Sequence, residues 1–189
     1  QNFLHERSVI DKIVQAVNPQ PGDAIVEIGP GQGALTFPLL KKHGELTAIE
    51  FDRDLHAPLQ AAAREHGTLR LIEGDVLGVD FTALAAELAP PGGQIRLVGN
   101  LPYNLSSPIL FHALDHAAAI RDMHFMLQKE VVERLAAGPG GGDWGRLSIM
   151  VQYHCDVEHL FNVGPGAFNP PPKVDSAIVR LTPHKQLPH

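Results

Sequence analysis

The sequence predicts an α/β fold, a mainly parallel β-sheet covered by helices on both faces. Three observations carry this. Apolar stretches of strand length alternate with stretches of helical periodicity through residues 24–127. A glycine-rich loop, Gly29-Pro30-Gly31-Gln32-Gly33, stands where the first of these strands meets its helix. Acidic residues, Glu50 and Asp75, close the next two strands, so three strand ends would present Gly29, Glu50 and Asp75 along one edge of the sheet.

The elements follow in order. Ile10, Ile13, Val14 and Val17 recur at helical spacing, with Ser8 as the predicted cap, Asp11 three residues on, and Pro19 as the stop. Ala24–Ile28 is a buried strand, and a helix runs from the glycine loop to about His43, where Gly44 ends it. Leu46–Glu50 is the second strand, followed by a helix to about His66 that Gly67 closes. Leu69–Glu73 is the third strand, ending in Gly74-Asp75, with a short helix over Thr82–Leu88 and a turn at Pro90-Pro91-Gly92-Gly93 behind it. Ile95–Gly99 is a fourth strand that runs into Asn100. Ser106–Leu114 reads as a helix with Pro108 in its first turn. Met123–Leu127 is strand-like and Lys129–Ala137 helical, with a glycine loop at 138–142. Arg146–Tyr153 fits either a helix or a strand. Val157–Val163 and Val174–Leu181 are late strands separated by proline-rich sequence.

Composition bounds the function classes. With 189 residues, 44% hydrophobic and 19% charged, the chain has the length and make-up of one globular domain. No apolar run approaches the roughly 20 residues that cross a membrane, and no secretory signal opens the chain. The single cysteine, Cys155, leaves no internal disulfide and suits a reducing, cytoplasmic compartment, where it reads as a small buried hydrophobe. A net charge of −6 argues against tight unaided nucleic-acid binding, although Lys129, Arg134, Arg146 and Lys173 are candidates for a local basic patch or ordinary solvated charges. His112 and His116 share a helical spacing, but without a third ligand nearby no metal site is expected.

Several groups are candidates for chemistry. Gly29 and Gly31 allow backbone to approach a ligand; the spacing is G-x-G-x-G rather than the dinucleotide G-x-G-x-x-G. Glu50, about 20 residues past the loop, can accept both hydroxyls of a ribose, in nicotinamide and adenosyl cofactors alike. Asp75 can accept from an adenine amino group. In Asn100-Leu101-Pro102-Tyr103 the Asn100 amide oxygen is an acceptor, Pro102 removes a donor and keeps Leu101 out of helical geometry, and Tyr103 offers a stacking face. Acceptors beside a flat ring suit an exocyclic amine such as the N6 of adenine. Phe168 precedes Asn169-Pro170-Pro171-Pro172, stiff sequence that can hold an exposed aromatic, or else it belongs to the core.

Taken together, these residues resemble the KsgA (RsmA) family of ribosomal-RNA adenine dimethyltransferases over nearly the whole chain. The stretches that carry the resemblance are Gln1–Leu4, EIGPGQGALT at 27–36, Glu50, Gly74-Asp75, NLPYN at 100–104, LQKEVVERL at 127–135 and FNPPPKVDS at 168–176. The resemblance implies a Rossmann-like class I methyltransferase with a seven-stranded, mostly parallel sheet, and S-adenosyl-L-methionine as cofactor, leaving as S-adenosyl-L-homocysteine. It implies that Asn2 and Leu4 line the methionine side, Gly29 and Gly31 the loop, Glu50 the ribose, Asp75 the adenine, and Asn100 the junction with the target. Asn100, Leu101, Pro102, Tyr103 and Phe168 would hold a flipped-out adenine, the two rings sandwiching it. The implied substrate is a pair of adjacent adenosines near the 3′ end of 16S rRNA in the 30S subunit or its precursor, each methylated twice on N6. The expected protein is a cytoplasmic monomer without metal. Residues 1–183 are expected to be the catalytic domain and 184–189 a linker or tail toward a helical C-terminal domain that this chain lacks, as it lacks a basic N-terminal segment. Three alternatives remain at this point: a related methyltransferase of large-subunit RNA, a non-catalytic RNA-binding or assembly factor on the same fold, and an NAD-dependent oxidoreductase.

Overall fold

The computed structural model describes residues 2–89 and 91–186. Gln1 of the opening motif, Pro90 of the predicted turn and residues 187–189 of the predicted tail lie outside the described residues.

In chain order the elements are β1 (Phe3–Leu4), α1 (Arg7–Val17), β2 (Ala24–Ile28), α2 (Thr36–His43), β3 (Glu45–Glu50), α3 (His56–Ala63), β4 (Thr68–Glu73), α4 (Phe81–Leu88), β5 (Ile95–Asn100), α5 (Ser106–Leu114), β6 (Ile120–Gln128), α6 (Lys129–Ala136), α7 (Arg146–His154), β7 (Cys155–Val163), β8 (Phe168–Asn169) and β9 (Ser176–Pro183). Seven strands form one sheet in the order β4-β3-β2-β5-β6-β9-β7. The strands from β4 to β6 are parallel, and β9 runs antiparallel between β6 and β7. The central strands are apolar on both sides, as a sheet covered on both faces requires. Val26, Leu97, Ile28 and Ile95 join Phe81, Ile109, Leu110, Val132 and Val151 on the face of α4 to α7. Ile25, Ala48, Leu46 and Val98 join Ile13, Val17, Leu39, Leu40 and Leu59 on the face of α1 to α3. Each fully buried aliphatic or aromatic side chain contributes about 1.5–3 kcal/mol relative to exposure.

The amino ends of the strands are tied by charge. The buried Arg96 guanidinium, on β5, donates to Asp122 on β6 at 2.9 and 3.1 Å, to Asp23 just before β2 at 2.9 Å, and to the carbonyl of Val17 at the end of α1. Each of the three guanidinium nitrogens thus meets at least one acceptor, and two carboxylates balance the buried charge. This cluster closes the end of the sheet opposite the candidate site.

Some elements differ from the sequence-based expectation. Ser8 does not cap α1: the helix starts at Arg7 behind an extended Glu6, with no side-chain cap, and Ser8 is its second residue. The third helix stops at Ala63, and residues 64–66 form a turn before Gly67. Arg146–His154 is a helix, burying Ser148 and Val151 against α6. The pairing of β1 with β8, Phe3 with Asn169 and Leu4 with Phe168, was not anticipated. At the far end the His184 backbone N–H donates to the His154 carbonyl at 2.8 Å, continuing the contact of β9 with the end of α7.

Candidate active site

At the carboxyl ends of β2 to β6 lies a cavity of about 760 Å³, with a smaller one of about 50 Å³ beside it under the glycine loop. Gly29, Asn2 and Asn100 border both. The loop needs its glycines: Gly31 has φ +57°, and Gly33 has φ +92° with the Phe37 ring where a Cβ would stand.

Glu50 is buried at the end of β3. One carboxylate oxygen accepts from the Gly31 N–H at 3.1 Å and the other from the Asp52 N–H at 2.9 Å. The carboxylate is therefore fixed before any ligand arrives, and each oxygen keeps a second lone pair for a hydroxyl. Asp75, exposed after β4, uses one oxygen to accept from the Leu77 N–H at 2.9 Å, which leaves the other free to accept. Ile28, Ile49, Val76, Leu101 and Ile109 supply apolar walls between these groups. A pair of fixed carboxylates on an apolar slot fits an adenosyl group: a diol for Glu50, an amino group for Asp75, a flat ring between.

Asn100 ends β5, and the Leu101 N–H donates to the Met126 carbonyl at 3.1 Å, pinning the turn to β6. The carbonyls of Pro102 and Tyr103 are occupied by the Leu105 N–H and the Ser106 hydroxyl. The Leu101 carbonyl and the Asn100 amide take no partner among the described residues. Gly99 sets the close approach behind them, since a Cβ there would stand 2.9 Å from the Ile28 carbonyl. Pro102 is exposed, and Tyr103 is 68% exposed at the mouth of the cavity.

Phe168 also lines the cavity, but as an exposed aromatic it is a correction. It is 4% exposed, held by its pairing with Leu4 and packed among Leu4, Ile10, Met126 and Ile178. Burial of a large ring outweighs the stiffness of the prolines after it. Asn2 is tied to the same segment, its amide donating to the Pro170 carbonyl at 2.6 Å. Leu4 and Gly31 border only the smaller cavity.

Sequence reasoning passed over Glu27, quoted only as the start of a motif. It is 2% exposed, accepts the Thr36 hydroxyl at 2.5 Å, and borders the smaller cavity. A visible signal was an acid inside the apolar run Ala24–Ile28, on the same strand face as buried Ile25. The discounted groups are engaged elsewhere. His112 meets the Val79 carbonyl and His116 the Thr82 hydroxyl, both at 2.7 Å, and no cluster of metal-ligating side chains occurs among the described residues. Cys155 is buried, and burial followed by the Asp156 charge pushes its thiol up to about 12. Arg134, of the possible basic patch, is paired with Glu130 at 2.8 Å.

Sheet order, loop and strand-end acids together define a Rossmann-like methyltransferase of the S-adenosylmethionine-dependent class. Comparison with known proteins narrows the class. The profile of the ribosomal RNA adenine dimethylase family matches residues 1–189, and the chain belongs to that family. It is 69% identical over 183 residues to ribosomal RNA small subunit methyltransferase A of Xanthomonas axonopodis pv. citri, covering 97% of this chain and 68% of that protein. Among solved structures, a dimethyladenosine transferase from Plasmodium falciparum superposes with TM-score 0.83 at 32% identity, covering 97% of this chain and 64% of that one. The 23S rRNA methyltransferase ErmE superposes with TM-score 0.83 at 29% identity, covering 98% and 71%.

Proposed function

We infer that this chain is the methyl-transferring part of a 16S rRNA adenine-N6,N6-dimethyltransferase acting on two adjacent adenosines in the 30S subunit or its precursor. The observation that carries the reading is the turn at Asn100–Tyr103. It offers two free acceptors and an exposed ring at the mouth of a cavity whose inner wall suits an adenosyl group. The large-subunit alternative is disfavoured by the identity gap, 69% to a small-subunit methyltransferase against 29% to ErmE. An NAD-dependent oxidoreductase is disfavoured by the family match.

In this reading Glu50 holds the ribose, Asp75 the adenine amino group, and the glycine loop with Asn2, Leu4 and Asn100 the amino-acid end. S-adenosylmethionine supplies a methyl group made electrophilic by its sulfonium and departs as the neutral thioether. The lone pair on adenine N6 is delocalised into the ring, so free adenine is a poor nucleophile. The Asn100 amide oxygen and the Leu101 carbonyl accept the N6 hydrogens and draw them out of the ring plane, which localises the lone pair. Tyr103 stacks on the flipped base from the solvent side, and the buried Phe168 backs it. Holding N6 on line at about 3–3.5 Å supplies most of the acceleration. The amine proton becomes acidic once N6 is cationic and leaves to water. The same reading takes residues 1–183 as the catalytic domain, acting as a monomer in the cytoplasm without a metal ion.

The test is transfer of tritiated methyl from labelled S-adenosylmethionine to immature 30S particles, with the products digested to nucleosides. N6,N6-dimethyladenosine in 16S rRNA is expected. Label that appears only when large-subunit particles are offered in place of 30S, or no label from a protein that binds cofactor normally, would overturn the reading. The chain spans about two thirds of its relatives' length, so the test belongs on the full-length protein.

A further inference from the structure

The turn that carries Asp75 has few ties to the rest of the molecule. The Gly74 N–H donates to the Glu50 carbonyl at 3.3 Å, and beyond it the chain bonds to itself. The Leu77 N–H donates to the Asp75 carboxylate, the Gly78 N–H to the Asp75 carbonyl and the Val79 N–H to the Val76 carbonyl. Asp80 then caps α4 by accepting from the Ala83 N–H at 3.0 Å. Asp75 is exposed, and Val76 is the buried apolar anchor of the turn. Among the described residues, one hydrogen bond reaches residues 75–80 from another helix. His112, on α5, meets the Val79 carbonyl through Nε2 at 2.7 Å. A carbonyl only accepts, so Nε2 carries the proton and donates it. The ring itself is held in place: its centroid lies 5.0 Å from that of the fully buried Phe81 ring and 5.2 Å from that of His116. His116 stands 3.6 Å from the Asp80 carboxylate, outside hydrogen-bond reach.

The helix that bears His112 is also the one that follows Asn100–Tyr103, and the hydroxyl of its first residue, Ser106, donates to the Tyr103 carbonyl at 3.0 Å. His112 therefore ties the turn after β4 to the element that carries the turn after β5. We propose that His112 is a positioning residue for selection of the cofactor's 6-amino group: its bond to Val79 keeps the Asp75 turn against α5, with the free carboxylate oxygen at the adenine edge. The proposal rests on the placement of adenine at Asp75 given above. His112 does not border the cavity, so it acts through Asp75 and not by contact with the ligand. The consequence is selectivity more than gross affinity. A loosened turn first loses the hydrogen bond to the amino group, because that bond weakens steeply with distance and angle. The apolar contacts of Ile49, Leu101 and Ile109 with a purine ring are non-directional and survive.

The experiment is calorimetric titration of the full-length protein with S-adenosylhomocysteine and with its analogue that has hydrogen in place of the 6-amino group. The unaltered protein should prefer S-adenosylhomocysteine by about tenfold or more, the scale of a charge-assisted hydrogen bond. His112→Phe keeps a ring against Phe81 and removes the donor. It should weaken S-adenosylhomocysteine binding several-fold and leave the analogue nearly unaffected, so the preference shrinks. His112→Gln, whose amide nitrogen reaches about as far as Nε2, should restore most of the preference. His112→Asn is too short to reach the carbonyl; it should behave like His112→Phe, and it carries the test if that variant does not fold. In an Asp75→Ala background His112→Phe should have no further effect. An unchanged preference in His112→Phe, or equal losses for the two ligands, would overturn the proposal. No preference in the unaltered protein, or a preference that survives Asp75→Ala, would overturn the adenine placement itself, and the proposal with it.

Discussion

Along β2, β3 and β4 the cavity wall is already engaged with itself: Glu50 is clamped by two backbone N–H groups, Asp75 caps its own turn, and Glu27 holds Thr36. Across the cavity, after β5, the Asn100 side-chain amide and the Leu101 carbonyl take no partner among the described residues, and Tyr103 projects toward solvent. In the proposed function the first wall is preorganised for the cofactor, and the second keeps its acceptors open for an adenine base. Preorganised groups lose little freedom when they act, which favours fixed acceptors over mobile ones on both walls. The second wall achieves this through backbone, with Leu101 pinned to Met126 and Gly99 packed on Ile28.

Substitutions can break or sharpen this contrast. The largest effect is expected from the ring that belongs to neither wall's chemistry alone. Phe168→Ala should destabilise the fold by about 3–5 kcal/mol, as truncating a buried phenylalanine does, and Phe168→Leu by much less. Chemical denaturation measures this; a loss of activity in Phe168→Ala with unchanged stability would mean the ring serves only the substrate. Asn100→Ala should slow single-turnover methyl transfer by about 3 kcal/mol of transition-state stabilisation, roughly a hundredfold or more. A near-normal rate would remove Asn100 from the chemistry. Tyr103→Ala should lose about 1–3 kcal/mol, the scale of base–aromatic stacking, while Tyr103→Phe keeps most of the rate. Equal loss in both variants would point to the hydroxyl instead.

The same contrast explains how much was legible in the sequence. Glu50 and Asp75 lie in regular strand–loop–helix units, where apolar periodicity and glycines mark each strand end, so their convergence on one edge followed from the α/β pattern. Asn100 was legible for the same reason, as the residue that a fourth strand runs into. Phe168 was not, because its burial depends on pairing with Leu4, more than 160 residues away, through a strand of two residues that has no periodicity. The helix at Arg146–His154 was ambiguous because only Ser148 and Val151 are fully buried in it, too few to show a helical stripe. Glu27 was less legible because the glycines beside it carry the stronger loop signal, although its place among apolar strand residues marks it as inward-facing.

The division of labour between the two walls is tested most directly by cofactor affinity alone. S-adenosylhomocysteine should be titrated into Glu50→Ala, Asn100→Ala and Tyr103→Ala under one set of conditions. The account predicts a loss of about 1–3 kcal/mol for Glu50→Ala, the scale of charge-assisted hydrogen bonds. It predicts Tyr103→Ala within about threefold of the unaltered protein, and a loss for Asn100→Ala smaller than that for Glu50→Ala. Unchanged affinity in Glu50→Ala, or a loss in Tyr103→Ala as large as that expected for Glu50→Ala, would contradict it.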